Sequence, residues 1–217
     1  ILDVDANFDV VFWPVAMDAK YKDVEAMEDG SILLTLFNGG IRNDENEHIA
    51  KLLRQKSKIL VAFGSCACEG CIPGLANLSP VGDIVHTAFN TITTDNPNEI
   101  YPRTSYDVPE GELHIPKLSK ILRPLEAVVD VDYYMPGCPP ESHQIAAVID
   151  LVVDVIHGKA NLPPKGAVIG VGNSTVCDEC PRARNVKMIK SFKRIQDIAP
   201  VDPTLCILEQ GVPCNGP

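Results

Sequence analysis

The sequence predicts an α/β fold, a parallel sheet covered by helices on both faces and followed by a small irregular segment rich in cysteine. Three observations carry this. Short apolar runs without polar alternation alternate with helical patterns through the first two thirds of the chain, as strands buried on both faces do. Two of these runs end directly in Gly/Pro loops carrying Cys66 and Cys138, at the carboxyl ends of strands where such sheets bind ligands. After Asn161-Leu-Pro-Pro-Lys165 the periodicity fades, basic residues rise and cysteines return.

Taken in order, residues 9–15 read as a buried strand ended by a proline region, with Trp13 in the core. Residues 31–37 read as a second strand, closed by Asn38-Gly-Gly40. Residues 44–56 predict a helix, because Ile49, Leu52 and Leu53 share one face and the rest is charged. Asp44 is its expected N-cap, with Glu47 three residues on. Residues 58–63 form the third strand, running into Gly64-Ser-Cys-Ala-Cys-Glu-Gly-Cys71. Residues 72–118 read as a long excursion that contacts a partner. Residues 128–134 form the fourth strand, and a helix is expected from about Glu141 to His157, stopped by Gly158. A short helix over 185–194 belongs to a second domain, 161–217, which follows a first domain of 1–160.

The 217 residues are 45% hydrophobic and 22% charged, a globular composition with enough apolar mass for a core. Nineteen Lys and Arg against 29 Asp and Glu give a net charge of −10, which argues against binding nucleic acid or an anionic membrane surface. No apolar run reaches the ~18 residues of a membrane span, the best stretch being broken by Asp150 and Asp154. The chain opens on Ile1 without a basic and apolar leader and stops at Pro217 in a Gly/Pro turn; both ends are expected to be clipped.

Eight cysteines, several only two or three residues apart in Gly/Pro-rich loops, have the spacing of metal ligands rather than of a disulfide framework. The strongest pattern is Cys177-x2-Cys180, then 25 residues, Cys206, then seven residues, Cys214. Four such sulfurs cage either a zinc ion or an iron–sulfur cluster. The wide spacing of the second pair favours a cluster, whose spread corners tolerate it better than one tetrahedral ion does. Cys66 and Cys138 form the second constellation: glycine lets the backbone approach a bulky group, and Pro139 and Pro140 suit a strand-to-helix junction. His143 reads as a cap or interface group. No Gly-x-Gly-x-x-Gly after a strand and no Walker-type Gly-Lys-Ser/Thr is present, so dinucleotide binding and nucleotide hydrolysis lack support. No Ser/His/Asp set suggests itself, and no catalytic residue is assigned.

Phe63-Gly-Ser-Cys66, Met135-Pro-Gly-Cys-Pro-Pro140, Cys177-Asp-Glu-Cys-Pro-Arg182 and Cys206-Ile-Leu-Glu-Gln-Gly-Val-Pro-Cys-Asn-Gly-Pro217 together resemble the small subunit of nickel–iron hydrogenases, most closely the methyl-viologen-reducing type associated with heterodisulfide reductase. The resemblance implies a flavodoxin-like parallel sheet domain followed by a small iron–sulfur cluster domain. It implies 4Fe-4S clusters that carry electrons from dihydrogen oxidation in a large, cytoplasmic partner subunit to heterodisulfide reductase or a similar iron–sulfur adaptor. Carried over, Cys66 and Cys138 hold the proximal cluster with two further ligands upstream of Ile1. Cys177, Cys180, Cys206 and Cys214 hold the distal cluster, and a third cluster takes ligands beyond Pro217. Many relatives carry His where Cys177 stands, and commonly Gly where Cys71 stands. Cys68 is not a family ligand, which leaves a rival set of Cys66, Cys68, Cys71 and Cys138. A complex-I-like quinone reductase subunit is a further alternative, although its adjacent Cys-Cys pair is absent here, and a zinc-stapled scaffold is the non-redox one.

Overall fold

The computed structural model describes residues 7–91, 93–172, 174–186, 188–198, 200–214 and 216. The chain divides into two compact units, Ile1–Val171 and Gly172–Pro217. Residues 161–171, which composition assigns to the second segment, pair with the first: Val168 forms a parallel bridge to Tyr134, and the Ile169 amide donates to the Tyr134 carbonyl at 2.8 Å.

In the first unit, α1 (Tyr21–Glu25) precedes β1 (Ile32–Asn38), β2 (Ile41–Asn43), α2 (Asp44–Lys56) and β3 (Ser57–Phe63). Then come α3 (Ser65–Glu69), a 3-10 helix (Ile72–Leu78), α4 (Val81–Asn90), β4 (Ser105–Val108), β5 (Gly111–His114), β6 (Leu118–Arg123), β7 (Tyr133–Met135) and α5 (Ser142–Ile156). The central sheet has the order β1-β3-β7, and both pairings are parallel. Side chains along β3 alternate between two cores, as the two-residue period of a strand requires. Leu60 and Ala62 pack with Ala50, Leu52 and Leu53 of α2 and with Ala67 of α3. Val61, between them, packs with Tyr133, Met135, Ile169 and Val148 of α5. The expected α/β sheet with both faces covered is therefore the observed one.

Several local expectations are corrected. Residues 9–15 form no strand; the chain turns after Trp13, whose carbonyl accepts from the Ala16 and Met17 amides at 3.0 Å, and Trp13 is 41% exposed. The N-cap of α2 is Asn43, not Asp44: its Oδ1 accepts from the Asn46 amide at 2.7 Å, while Asn46 Oδ1 accepts from the Asn43 amide at 3.3 Å. Glu47 instead pairs with Lys51 and Arg123, each at 2.5 Å, and these two cations hold its carboxyl down to about 2. The fourth strand shrinks to Tyr133–Met135: the Val128 and Val129 amides turn back to the Leu125 carbonyl, at 3.0 and 3.1 Å, instead of pairing with a neighbouring strand. Residues 72–118 hold a 3-10 helix, α4 and the antiparallel β4–β5 hairpin rather than an unstructured loop. No helix forms over 185–194 among the described residues.

The buried carboxylate of Asp132, 6% exposed, ties these parts together. Its Oδ2 accepts from Arg54 Nη1 at 2.7 Å and from the Leu60 amide at 2.9 Å, and its Oδ1 meets Lys165 Nζ at 2.5 Å. Arg54 in turn donates to the Ser57 carbonyl at 2.6 Å. Burial would raise the Asp132 carboxyl, but the Lys165, Arg54 and Leu60 donors outweigh it and hold the group below its ordinary value. A lowered carboxylate stabilises the fold above its unfolded pKa, and that contribution is lost as pH falls through the folded one. Asp132→Asn leaves two cations facing a neutral amide and is expected to cost about 3 kcal/mol at neutral pH. The difference from wild type is expected to shrink below about pH 4, near the unfolded pKa. Urea unfolding of both proteins across this range checks it; a constant gap would show that the carboxylate's charge is not what matters.

Candidate metal–sulfur sites

The first site sits where β3 and β7 end side by side. The Gly64 amide donates to the Met135 carbonyl at 2.7 Å, the Ser65 amide to the Gly137 carbonyl at 2.8 Å, and the Gly137 amide to Ser65 Oγ at 3.0 Å. Gly137 has φ +142°, and a Cβ there would meet Pro140 Cα at 2.6 Å and Pro140 N at 2.7 Å, so only glycine fits. The loops that carry Cys66 and Cys138 are thus latched to each other at one sheet edge. Burial pushes the Cys66 thiol up, and the neighbouring Cys71 and Cys138 sulfurs push it further.

Cys71 reaches Cys66 because α3 ends at Gly70 in the left-handed region, its amide bonded to the Cys66 carbonyl at 3.1 Å. Cys71 itself has φ +47°, a conformation that non-glycine residues rarely adopt. Cys68 points elsewhere. Its thiol donates to the Ala62 carbonyl at 3.3 Å, packs against the core beneath α3, and is pushed up to about 11 by burial and then by the Glu69 charge. Cys71 and Cys138 thus each lie near Cys66, while Cys68 is turned away into the core.

The second site lies within Gly172–Pro217. Here α6 (Val176–Glu179) starts at Thr175, whose amide and hydroxyl donate to Asp178 Oδ2 at 2.7 and 2.9 Å. Two distant segments are joined where Ala183 bridges Leu205: the Ala183 amide donates to the Thr204 carbonyl and the Cys206 amide to the Ala183 carbonyl, both at 2.8 Å. Gln210 braces the Cys206 turn from inside, its Nε2 donating to the Asp202, Leu205 and Cys206 carbonyls at 3.0–3.4 Å.

These bonds bring Cys177, Cys180, Cys206 and Cys214 around one cavity of about 30 Å³, which Arg182 and Arg184 also line. The Arg182 amide pulls the Cys180 thiol down; burial opposes it, and the guanidinium groups of Arg182 and Arg184 reinforce it. The Gly216 amide donates to Cys214 Sγ at 3.4 Å.

The donor set around this cavity fits a polynuclear metal–sulfur group. Its ligating groups are thiols, and among the described residues the buried Arg182 Nε has no hydrogen-bond partner. Sulfurs spread around a cavity suit a cluster in which each thiolate takes a different iron. Arg182 carries no ligand signature in the sequence, being neither cysteine nor histidine; its only signal is its place two residues after Cys180. His143 is exposed and pairs with Glu141 at 3.2 Å, as a surface group. No helix among the described residues is long and apolar enough to cross a membrane.

The family described as NADH ubiquinone oxidoreductase, 20 Kd subunit, matches residues 1–152. The iron-sulfur subunit of the F420-non-reducing hydrogenase of Archaeoglobus profundus is 42% identical over 224 residues, covering 100% of this chain and 68% of that protein. The corresponding vhu subunit of the F420-non-reducing hydrogenase of Methanococcus voltae is 36% identical over 216 residues, covering 100% of this chain and 66% of that protein. The chain thus spans about two thirds of the length of these relatives. A chain of the crystal structure of NAD+-reducing [NiFe]-hydrogenase in the H2-reduced state is similar with a TM-score of 0.58 and 28% identity, over 75% of this chain and 81% of that one. With its parallel sheet, its latched strand-end cysteines and these likenesses, the chain belongs to the NADH ubiquinone oxidoreductase 20 Kd subunit family and, within it, to the iron–sulfur subunits of F420-non-reducing hydrogenases.

Proposed function

We propose that this chain is the electron-transferring small subunit of a cytoplasmic nickel–iron hydrogenase. In this reading it relays electrons from dihydrogen oxidation in a large partner subunit, through 4Fe-4S clusters, to heterodisulfide reductase or a similar iron–sulfur adaptor. The observation that carries the reading is the cavity walled by Cys177, Cys180, Cys206 and Cys214. These four hold the distal cluster. Cys66 and Cys138 contribute to the proximal cluster, whose remaining two ligands, like those of a third cluster, belong to segments outside Ile1–Pro217. When bound, such a cluster supplies a one-electron carrier; the chain's residues hold it by thiolates and set its potential through hydrogen bonds, charge and burial.

The surface beside the first site supports a large partner. Ile72, Leu75 and Leu78 on the 3-10 helix after Cys71 are 67%, 61% and 84% exposed, and α4 buries none of its residues. Large apolar side chains left this exposed beside a cysteine loop are what a partner subunit would cover.

Metal analysis tests the reading first. Anaerobically purified full-length protein is expected to contain iron and acid-labile sulfide; zinc in their place would leave the scaffold alternative standing. Co-expression with the large subunit is expected to give one co-eluting complex on size exclusion. A soluble, cluster-loaded monomer that is active alone would contradict the subunit role.

Cys177 offers a sharper measurement. Exchanging thiolate for neutral imidazole removes one negative charge beside the cluster, so Cys177→His is expected to raise one cluster potential by on the order of 100 mV and leave the others nearly unchanged. Electron paramagnetic resonance titration of the intact complex reads it. Unmoved potentials at full iron content would remove Cys177 from the ligand set.

A further inference from the structure

We propose that Arg182 is a positioning residue of the Cys177, Cys180, Cys206 and Cys214 site, whose Nε–H donates a charge-assisted hydrogen bond to the sulfur of the anionic group held there. This rests on the cluster reading above and extends it to a side chain that is not a ligand.

Three separate facts point the same way. Arg182 lines the cavity together with the four cysteines. Its Nη1 lies 3.7 Å from Cys180 Sγ, so the guanidinium already lies along the thiol wall. Among the described residues its buried Nε has no partner. Guanidinium nitrogens are donors only, and a buried donor left unmet carries a desolvation cost that folded proteins rarely accept.

The local sequence explains why the side chain is held there. Pro181 has no amide hydrogen, so the first amide after Cys180 is that of Arg182, and it turns back onto the Cys180 sulfur. With the backbone anchored on one side of that sulfur and Nη1 close to it, Nε has little freedom to find another acceptor. Neighbouring carbonyls do not serve it: among the described residues no acceptor lies within hydrogen-bond reach of Nε. An anion with sulfur acceptors inside the cavity satisfies the donor and gains a positive charge at close range. Arg184 lines the same cavity but is exposed, so its charge is screened by solvent and it makes a natural control.

A cation that donates to a reducible anion favours the reduced, more negative state. The test uses the intact hydrogenase complex, purified without oxygen, as wild type, Arg182→Gln, Arg182→Lys and Arg184→Gln. Three quantities are read: iron and sulfide content, cluster potentials by electron paramagnetic resonance titration, and exchangeable-proton couplings to the reduced clusters in H2O against D2O. Arg182→Gln is expected to weaken one-electron reduction of a single cluster about tenfold, about 59 mV, and to lose one exchangeable coupling. Arg182→Lys is expected to recover part of the potential, through its charge, but not the coupling; Arg184→Gln is expected to shift the potential less and keep the coupling. Unchanged potentials and couplings in a fully loaded Arg182→Gln complex would overturn the proposal. If that variant fails to load, Arg182→Lys decides by whether the coupling disappears. Loss of iron from both, with Arg184→Gln loaded, overturns it in favour of a purely structural guanidinium. Absence of iron and sulfide from the wild type would instead sink the cluster reading, before any substitution is compared.

Discussion

The parallel pairing of β3 with β7 is the constraint on which the first unit depends. Parallel neighbours end at the same edge, so the segments that follow them must emerge together. With Phe63 opposite Met135, the next residues, Gly64-Ser-Cys66 and Pro136-Gly-Cys138, face each other. The amide–carbonyl bonds between Gly64 and Met135 and between Ser65 and Gly137 carry the pairing past the strand ends. Two cysteines far apart in sequence are neighbours for this reason. Asp132 enforces the register from the other end: it precedes β7 and binds the Leu60 amide in the middle of β3, so a slip of either strand would strand a buried carboxylate.

The second unit is held by different means. Among its described residues only Gly211 is buried, and the chain is shaped by Asp178, Asp202 and Gln210 capping nearby amides and carbonyls. Hydrogen bonds of this exposed kind contribute little net stability. A segment of this size without a core ordinarily relies on a staple, and ligation energy is folding energy where the site does not exist in the unfolded chain. The four thiols around one cavity are the place for such a staple, so binding and folding of this unit are coupled in the proposed function.

What is legible in the sequence follows from where each signal is stored. The bounds of α2 are legible because Ile49, Leu52 and Leu53 lie on one face of a charged helix, and the face they meet is in the same chain. Residues 72–118 read as loop because α4 and the β4–β5 hairpin keep apolar side chains that this chain does not cover, which blurs the pattern. Residues 185–194 read as a helix from their composition, yet Val186, Met188 and Phe192 are exposed, and a short helix without a surface to pack on is marginal. At the sites, the cysteines are legible as a set. The approach of Cys71 to Cys66 is not, because it is made by the left-handed turn at Gly70, and the burial of Arg182 Nε is not, because part of the wall around it, Cys206 to Leu208 with Cys214 and Gly216, comes from residues more than twenty positions away.

The two sites differ in a way that bears on how they take up an anionic group. At the first, burial and neighbouring sulfurs raise the Cys66 thiol, so its sulfur favours a proton until it is ligated. Ligation there displaces protons and relieves the mutual repulsion of the thiolates, because metal charge replaces proton charge. At the second, the Arg182 amide and the two arginines lower the Cys180 thiol, so part of the positive charge that a thiolate-ligated cluster calls for is built into the protein. An acidic chain of net charge −10 has placed Arg182 and Arg184 on the wall of that cavity, against its overall balance. Local charge beside a redox group acts on its potential far more than the distant, screened charge of the surface does. The chain can thus remain acidic overall while giving one of its two sites an electropositive wall and the other none of comparable kind among the groups that act on Cys66.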